Sequence, residues 1–101
     1  MLEEENKRRD RLYIIAEILK IAEDGSLKTQ IMYKANLSFA QLNEYLSFLI
    51  RMKLLEIRKE ERKKIYITTS KGEDYLVKYG EISSLLGNDE RKTVVNLLNF
   101  R

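Results

Sequence analysis

Ser26-Leu27-Lys28-Thr29-Gln30-Ile31-Met32-Tyr33-Lys34-Ala35-Asn36, followed at once by Leu37-Ser38-Phe39-Ala40-Gln41, is the stretch that decides how this chain folds. The first part reads as a short helix running into an Asn suited to a helix end. The second carries a capping box: the Ser38 hydroxyl can accept from the backbone N–H of residue 41 while the Gln41 side chain reaches back to the cap. A new helix is therefore expected to start at Phe39. Its apolar positions Leu42, Tyr45, Leu46 and Leu49 form one stripe at helical spacing, ready to pack on the preceding helices. Two helices joined by so short a turn make a helix-turn-helix. Taken alone they fit an ordinary helical hairpin in a small bundle equally well.

The residues downstream separate those readings. Leu54-Leu55-Glu56-Ile57-Arg58 and Lys64-Ile65-Tyr66-Ile67-Thr68 are short β-prone runs, and Leu55, Ile57, Ile65 and Ile67 are expected to alternate onto one buried face. Between them Lys59-Glu60-Glu61-Arg62-Lys63 reads as a charged loop, solvated until it meets a partner. Thr69-Ser70-Lys71-Gly72 then opens another helix, with Thr69 as its cap. Helix, turn, helix, hairpin, helix is the order of a winged helix-turn-helix. The predicted fold class is mainly α with a small β-hairpin, closed by a C-terminal dimerisation helix. The plainer alternative for the hairpin is a solvated ornament with no target.

Upstream, a helix is expected from about Asp10 to Glu23, stopped at Asp24-Gly25 where Gly supplies a left-handed closing residue. Leu12, Ile15, Ile18, Leu19 and Ala22 give it a core face, and Ile14 and Ile21 fall toward its flank. A helix apolar over more than half its circumference needs cover from more than one side. Downstream, Tyr75, Tyr79, Ile82 and Leu86 step by four, three and four, the spacing of a coiled-coil seam, with Leu76, Ser83 and Leu85 beside it. Val94, Val95, Leu97 and Leu98 form a second apolar cluster, and Gly87-Asn88-Asp89 either caps the fourth helix and starts a fifth or kinks one long helix. A helix leaving a winged domain has little left of its own domain to pack on, so Tyr75, Tyr79, Ile82 and Leu86 are assigned to a homodimer. The alternative is that this helix folds back on the first and completes a monomeric core. The expected organisation is a mobile charged arm over 1–10, a winged-helix domain over 11–69, and a dimerising helix or helices over 70–101.

Charge is distributed unevenly. The chain of 101 residues has a net charge of +3, yet residues 26–71 alone hold ten bases against four acids, a net +6, and the remainder is neutral or acidic. A clustered basic surface is the electrostatic footprint of a protein that displaces counterions from phosphates; the plainer alternative is a basic surface kept for solubility. With no Cys and no His, there is no disulfide, no thiol nucleophile and no usual zinc set. No carboxylate sits in an apolar setting suited to acid or base work, and Gly-rich phosphate loops are absent. Neither enzymatic chemistry nor a cofactor or small-molecule ligand is expected. No apolar run approaches the roughly 18 residues that span a bilayer, and no signal peptide precedes the first helix. A soluble chain without membrane contact, cytoplasmic and nucleoid-associated, is the expectation.

Placing Leu42 at zero and stepping about 100° per residue puts Ala40, Asn43, Glu44, Ser47 and Arg51 on the outer side of the second helix of the motif. Asn43, Ser47 and Arg51 are the candidate major-groove residues, Asn43 suited to bidentate pairing with adenine. Ser38 and Gln41 are expected near a phosphate at that helix's start, and Lys28, Lys34, Arg58, Arg62, Lys63 and Lys64 along the backbone of double-stranded DNA. Arg8, Arg9 and Arg11 are further backbone candidates. A rival reading is a winged helix used as a protein-interaction module, favoured by the neutral Phe39, Ala40 and Phe48 near the same helix.

The run Lys28 to Ser38, continuing through Leu42, Tyr45-Leu46, Leu49 and Leu54-Leu55-Glu56 to Tyr66 and Thr69-Ser70-Lys71-Gly72, resembles the archaeal winged-helix proteins that include the ten-kilodalton chromatin proteins. The similarity covers roughly residues 11–80. It implies a winged-helix fold, DNA binding with weak sequence preference, and a homodimer held by an antiparallel coiled coil of C-terminal helices, with two reading heads at the ends of a rod. The lack of Cys and the abundance of Lys and Glu agree with a thermophilic archaeal setting. One departure stands out: where many members carry a Gly after the recognition helix, this chain has Lys53.

Overall fold

The fold is that of a computed structural model, described over residues 10–87. The charged arm with Arg8 and Arg9, the cluster Val94, Val95, Leu97 and Leu98, and the expected fifth helix lie outside the described residues. Four helices and one hairpin follow in order: α1 (Arg11–Ile21), α2 (Lys28–Ala35), α3 (Phe39–Arg51), β1 (Leu55–Glu60), β2 (Lys63–Thr68) and α4 (Ser70–Leu85).

Each helix starts and stops for a local reason. Asp10 caps α1, its carboxylate accepting from the Tyr13 N–H at 2.9 Å, so Asp10 precedes the helix that sequence had begin there. The helix closes at Ala22, and Gly25 turns the chain with φ 95°. In α2 the Gln30 side chain accepts from the Leu27 N–H at 2.9 Å, and Asn36 ends the helix in the left-handed region at φ 55°. Both bonds of the predicted capping box form: Ser38 Oγ accepts from the Gln41 N–H at 3.1 Å, and Gln41 Oε1 from the Ser38 N–H at 3.0 Å.

Leu42, Leu46 and Leu49 bury the inner face of α3 against Ile14, Ile15, Ile18, Leu19 and Ala22 of the α1 segment, Ile31 and Ala35 of α2, and Leu54, Leu55 and Tyr66 of the hairpin. Each buried Leu or Ile side chain among them contributes about 1.5–3 kcal/mol of transfer free energy. α1 is covered by α2, α4 and β2, as its wide apolar face requires. Two of its residues exchange their expected roles: Leu12 is 59% exposed while Ile14 is buried. Leu12 lies in the first turn of the helix, where its carbonyl accepts from the Tyr75 hydroxyl while its side chain stays exposed.

The hairpin corrects the sequence reading. Glu60 pairs with Lys63, leaving a turn of only Glu61-Arg62, with Glu61 in the left-handed region at φ 61°. A five-residue loop would pair Arg58 with Lys64; instead Arg58 opposes Ile65 and Lys59 opposes Lys64. A shift of one residue moves every side chain of one strand to the other face. Leu55 and Ile57 consequently share a face with Thr68 and Tyr66, while Ile65 and Ile67 lie on the opposite face beside Arg58 and Glu56. Ile65 is accommodated because residue 25 is Gly: a Cβ there would approach Ile65 Cγ2 to 3.0 Å. Ser26 adds a third, single-bridge rung, exchanging both backbone hydrogen bonds with Tyr66 at 2.8 and 2.9 Å. Thr68 ties the sheet to α1, its hydroxyl donating to the Leu19 carbonyl at 2.7 Å.

α3 is joined to the wing through a left-handed residue that is not Gly. Lys53 takes φ 64°, so that its N–H donates to the Ile50 carbonyl and the Leu54 N–H to the Leu49 carbonyl, the pair of bonds that closes a helix in a Schellman motif. The start of α4 clamps the same place. The Thr69 hydroxyl donates to the Lys53 carbonyl at 2.7 Å and accepts from the Gly72 N–H at 3.1 Å, and Lys71 Nζ donates to the Met52 carbonyl at 2.9 Å. Gly72 permits this approach, because a Cβ there would overlap the Leu54 carbonyl oxygen and Thr68 Cγ2. The result is a winged helix: a helix-turn-helix, its hairpin wing, and a fourth helix that runs unbroken through Gly80.

Candidate nucleic-acid interface

The outer side of α3 is nearly neutral. Ala40, Glu44, Ser47 and Arg51 are exposed and Asn43 is half-buried, one cation and one acid in all. Arg51 sits at the far end, its guanidinium 5.8 Å from the centroid of the Phe48 ring. Phe48 and Tyr45 pack against the core, so of the three aromatic residues on this helix only Phe39 is free of it, at 61% exposure. Phe39 is met instead by Lys28 from the start of α2, whose ammonium lies 4.6 Å from the ring centroid. Ser38 and Gln41 stand at the same end, with the carboxamide oxygen of Gln41 held in the capping box.

The wing is the cationic element. Lys59, Arg62, Lys63 and Lys64 are exposed, and among the described residues none of them has a carboxylate at ion-pair distance. Glu60 stands across from Lys63 on one face, but on the other Lys59 stands directly across from Lys64. Like charges in that position repel and weaken a hairpin, so the pair costs the free protein something that a nearby anion would return. Arg58 differs from its neighbours, bonded at 3.3 Å to Glu56 in a solvent-exposed pair of the kind worth about 0–1 kcal/mol.

The other bases are dispersed. Lys34 lines a cleft between α1 and α4 with Tyr13, Lys20, Leu76 and Tyr79, apart from the wing residues with which sequence grouped it. Lys71 is engaged on the end of α3, where a cation also suits the negative end of the helix dipole. Arg11 lies 5.6 Å from the Tyr45 ring centroid. Sequence reasoning omitted Lys59; only the strand register sets it opposite Lys64. The Lys28–Phe39 contact was likewise hidden, since it joins two helices.

α4 divides into two halves. Tyr75 and Tyr79 stack with planes 6° apart, and the Tyr75 hydroxyl donates to the Leu12 carbonyl at 2.8 Å. Burial, then the neighbouring Tyr79 and Asp10, pushes the Tyr75 hydroxyl up to about 12, which keeps it a donor. These two tyrosines brace α4 on α1. Beyond them Ile82 is 55% exposed and Leu86 59% exposed, with Leu85 more open still. At the opposite end of α4, loss of hydration and then the adjacent Glu23 and Asp24 carboxylates raise Glu73 above its usual value, marking an acidic spot distinct from the wing. Among the described residues no acidic group is arranged to hold a metal ion, and no helix is long and apolar enough to cross a membrane.

This architecture has known counterparts. The crystal structure of Sso10a-2, a DNA-binding protein from Sulfolobus solfataricus, superposes with a TM-score of 0.72 at 27% identity, covering 89% of this chain and 97% of that one. Two uncharacterised proteins of Methanocaldococcus jannaschii are also similar: MJ0290, 38% identical over 84 residues and 82% of this chain, and MJ0287, 40% identical over 63 residues and 55% of this chain. The chain spans 38% of the length of the first and 65% of the second. The winged helix-turn-helix family model matches residues 8–87, and the chain belongs to that family.

Proposed function

We propose that this protein binds duplex DNA as a homodimer, gripping the phosphate backbone more than it reads sequence, in an architectural, chromatin-type or transcription-regulating role at the nucleoid. The observation that carries the reading is the wing: four exposed cations without ion-pair partners among the described residues, two of them directly opposed across the hairpin. Such a surface is relieved by polyanions. The likeness to a protein described as DNA-binding adds support at the level of the fold.

In this reading α3 lies in the major groove with Asn43, Ser47 and Arg51 beside the bases, and Ser38, Gln41 and Lys28 near a phosphate at its start. Arg58, Lys59, Arg62, Lys63 and Lys64 run along the backbone from the wing. Lys34, on the α1–α4 cleft, contributes to the general field. The dimer seam uses the outer half of α4, Ile82 and Leu86, with Tyr75 and Tyr79 holding that half in position. Replacing Ile82 and Leu86 with Glu is expected to give a monomer by sedimentation; an unchanged mass would place the two-fold contact elsewhere.

A second reading, a protein-interaction module that does not touch DNA, is favoured by the exposed Phe39 ring. A gel shift with mixed-sequence duplex at moderate salt separates the two. The DNA-binding reading expects a shifted band with every duplex tried; an unshifted duplex would support the interaction module.

A further inference from the structure

We propose that the first turn of α3 senses the thymine 5-methyl group, with Phe39 and Ala40 as the contacting residues, so that the protein favours A·T-containing sites. This rests on the DNA-binding reading above. In a helix-turn-helix the N-terminal residues of the recognition helix approach the base edges. Here that turn is Phe39-Ala40-Gln41-Leu42, with no charged residue in it. Leu42 is buried and the carboxamide oxygen of Gln41 is held by the cap. Arg51, the one α3 side chain suited to guanine O6 and N7, is at the opposite end of the helix beside Phe48. The apolar groups exposed at the tip are therefore a phenyl ring and a methyl group, beside the exposed Gln41 whose amide oxygen is engaged.

The major-groove edges of the four bases offer one apolar feature, the thymine C5-methyl. A phenyl ring that is 61% exposed in the free protein gains by covering such a methyl and gains nothing from a cytosine edge. Lys28, whose ammonium lies 4.6 Å from the ring centroid, sets a cation beside the proposed contact, suited to a backbone phosphate. Asn43, one turn further along, is of the type that pairs with the adenine opposite. Methyl contact and adenine pairing select the same base pair.

The test uses two duplexes of identical A·T-rich sequence, one with every thymine replaced by uracil. That exchange removes the methyl groups and leaves charge and base pairing in place. Binding is followed by fluorescence anisotropy at fixed salt. Covering one methyl corresponds to about a fourfold change in affinity, so the wild-type protein is expected to bind the thymine duplex about fourfold more tightly for each methyl it covers. Phe39→Ala is expected to bring the ratio of thymine-duplex to uracil-duplex affinity down toward one, the readout being that ratio and not the absolute affinity for either duplex. Replacing cytosine by 5-methylcytosine in a G·C duplex is expected to tighten binding by the wild type and not by the variant. If Phe39→Ala fails to fold, the wild-type comparison still decides, and Phe39→Gln serves as the second variant. Equal affinity of the wild type for both A·T duplexes with a steep salt slope would overturn methyl sensing and leave the backbone grip intact. No affinity for any duplex would overturn both and make Phe39 a protein-contact residue.

Discussion

The wing and the outer face of α3 are the two surfaces a winged helix can offer to DNA, and in this protein they are built to opposite specifications. Residues 58–64 carry five bases and two acids on a two-residue turn, with Lys59 set against Lys64. The outer face of α3 offers one base and one acid, the base lying over Phe48. A surface that tolerates internal repulsion is suited to a polyanion, and one that is almost neutral distinguishes base edges by shape and apolar contact. On the proposed reading, the difference gives affinity to the hairpin and a modest selectivity to the helix.

Breaking the stronger partner should have the largest effect. Changing Arg62 and Lys63 to Glu is expected to weaken binding roughly a hundredfold at low salt, by the same factor for unrelated sequences; loss confined to one sequence would make the wing a base reader. The joint between the two surfaces comes next. Gly72→Ala forces a Cβ into the Leu54 carbonyl and Thr68, and is expected to destabilise the fold by about 2 kcal/mol in denaturant titration. A neutral result would mean that the clamp on α3 is looser than its geometry indicates. The smallest effect belongs to Lys53, which holds a left-handed conformation that costs a side-chain-bearing residue about 1 kcal/mol. Lys53→Gly is expected to recover about that amount, with binding unchanged if the wing keeps its angle.

The helices were legible in the sequence because their ends are chemical: the Ser38–Gln41 box, Asp10 and Gly25 each act within a few residues. The hairpin register was not. It depends on Glu61 adopting a left-handed conformation for which a Glu side chain gives no signal, and the one-residue shift that follows exchanges the faces of Ile65 and Ile67 with that of Tyr66. The site was legible in composition and illegible in arrangement. The excess of bases over residues 26–71 is plain, but whether a given base faces solvent on the wing, lines the α1–α4 cleft like Lys34, or closes a helix end like Lys71 is set by contacts distant in sequence. The same holds for Tyr75, whose hydroxyl reaches Leu12 across 63 positions.

The division between a gripping wing and a nearly neutral helix is tested most directly by the affinity for mixed-sequence duplex DNA measured as a function of salt. If about six phosphates are neutralised, log K falls against log salt with a slope near −5 for the wild type, and the slope becomes shallower by about 2 when Arg62 and Lys63 are replaced by Ala. Affinity that does not change with salt, or a slope that is the same in the wild type and the variant, would contradict the account.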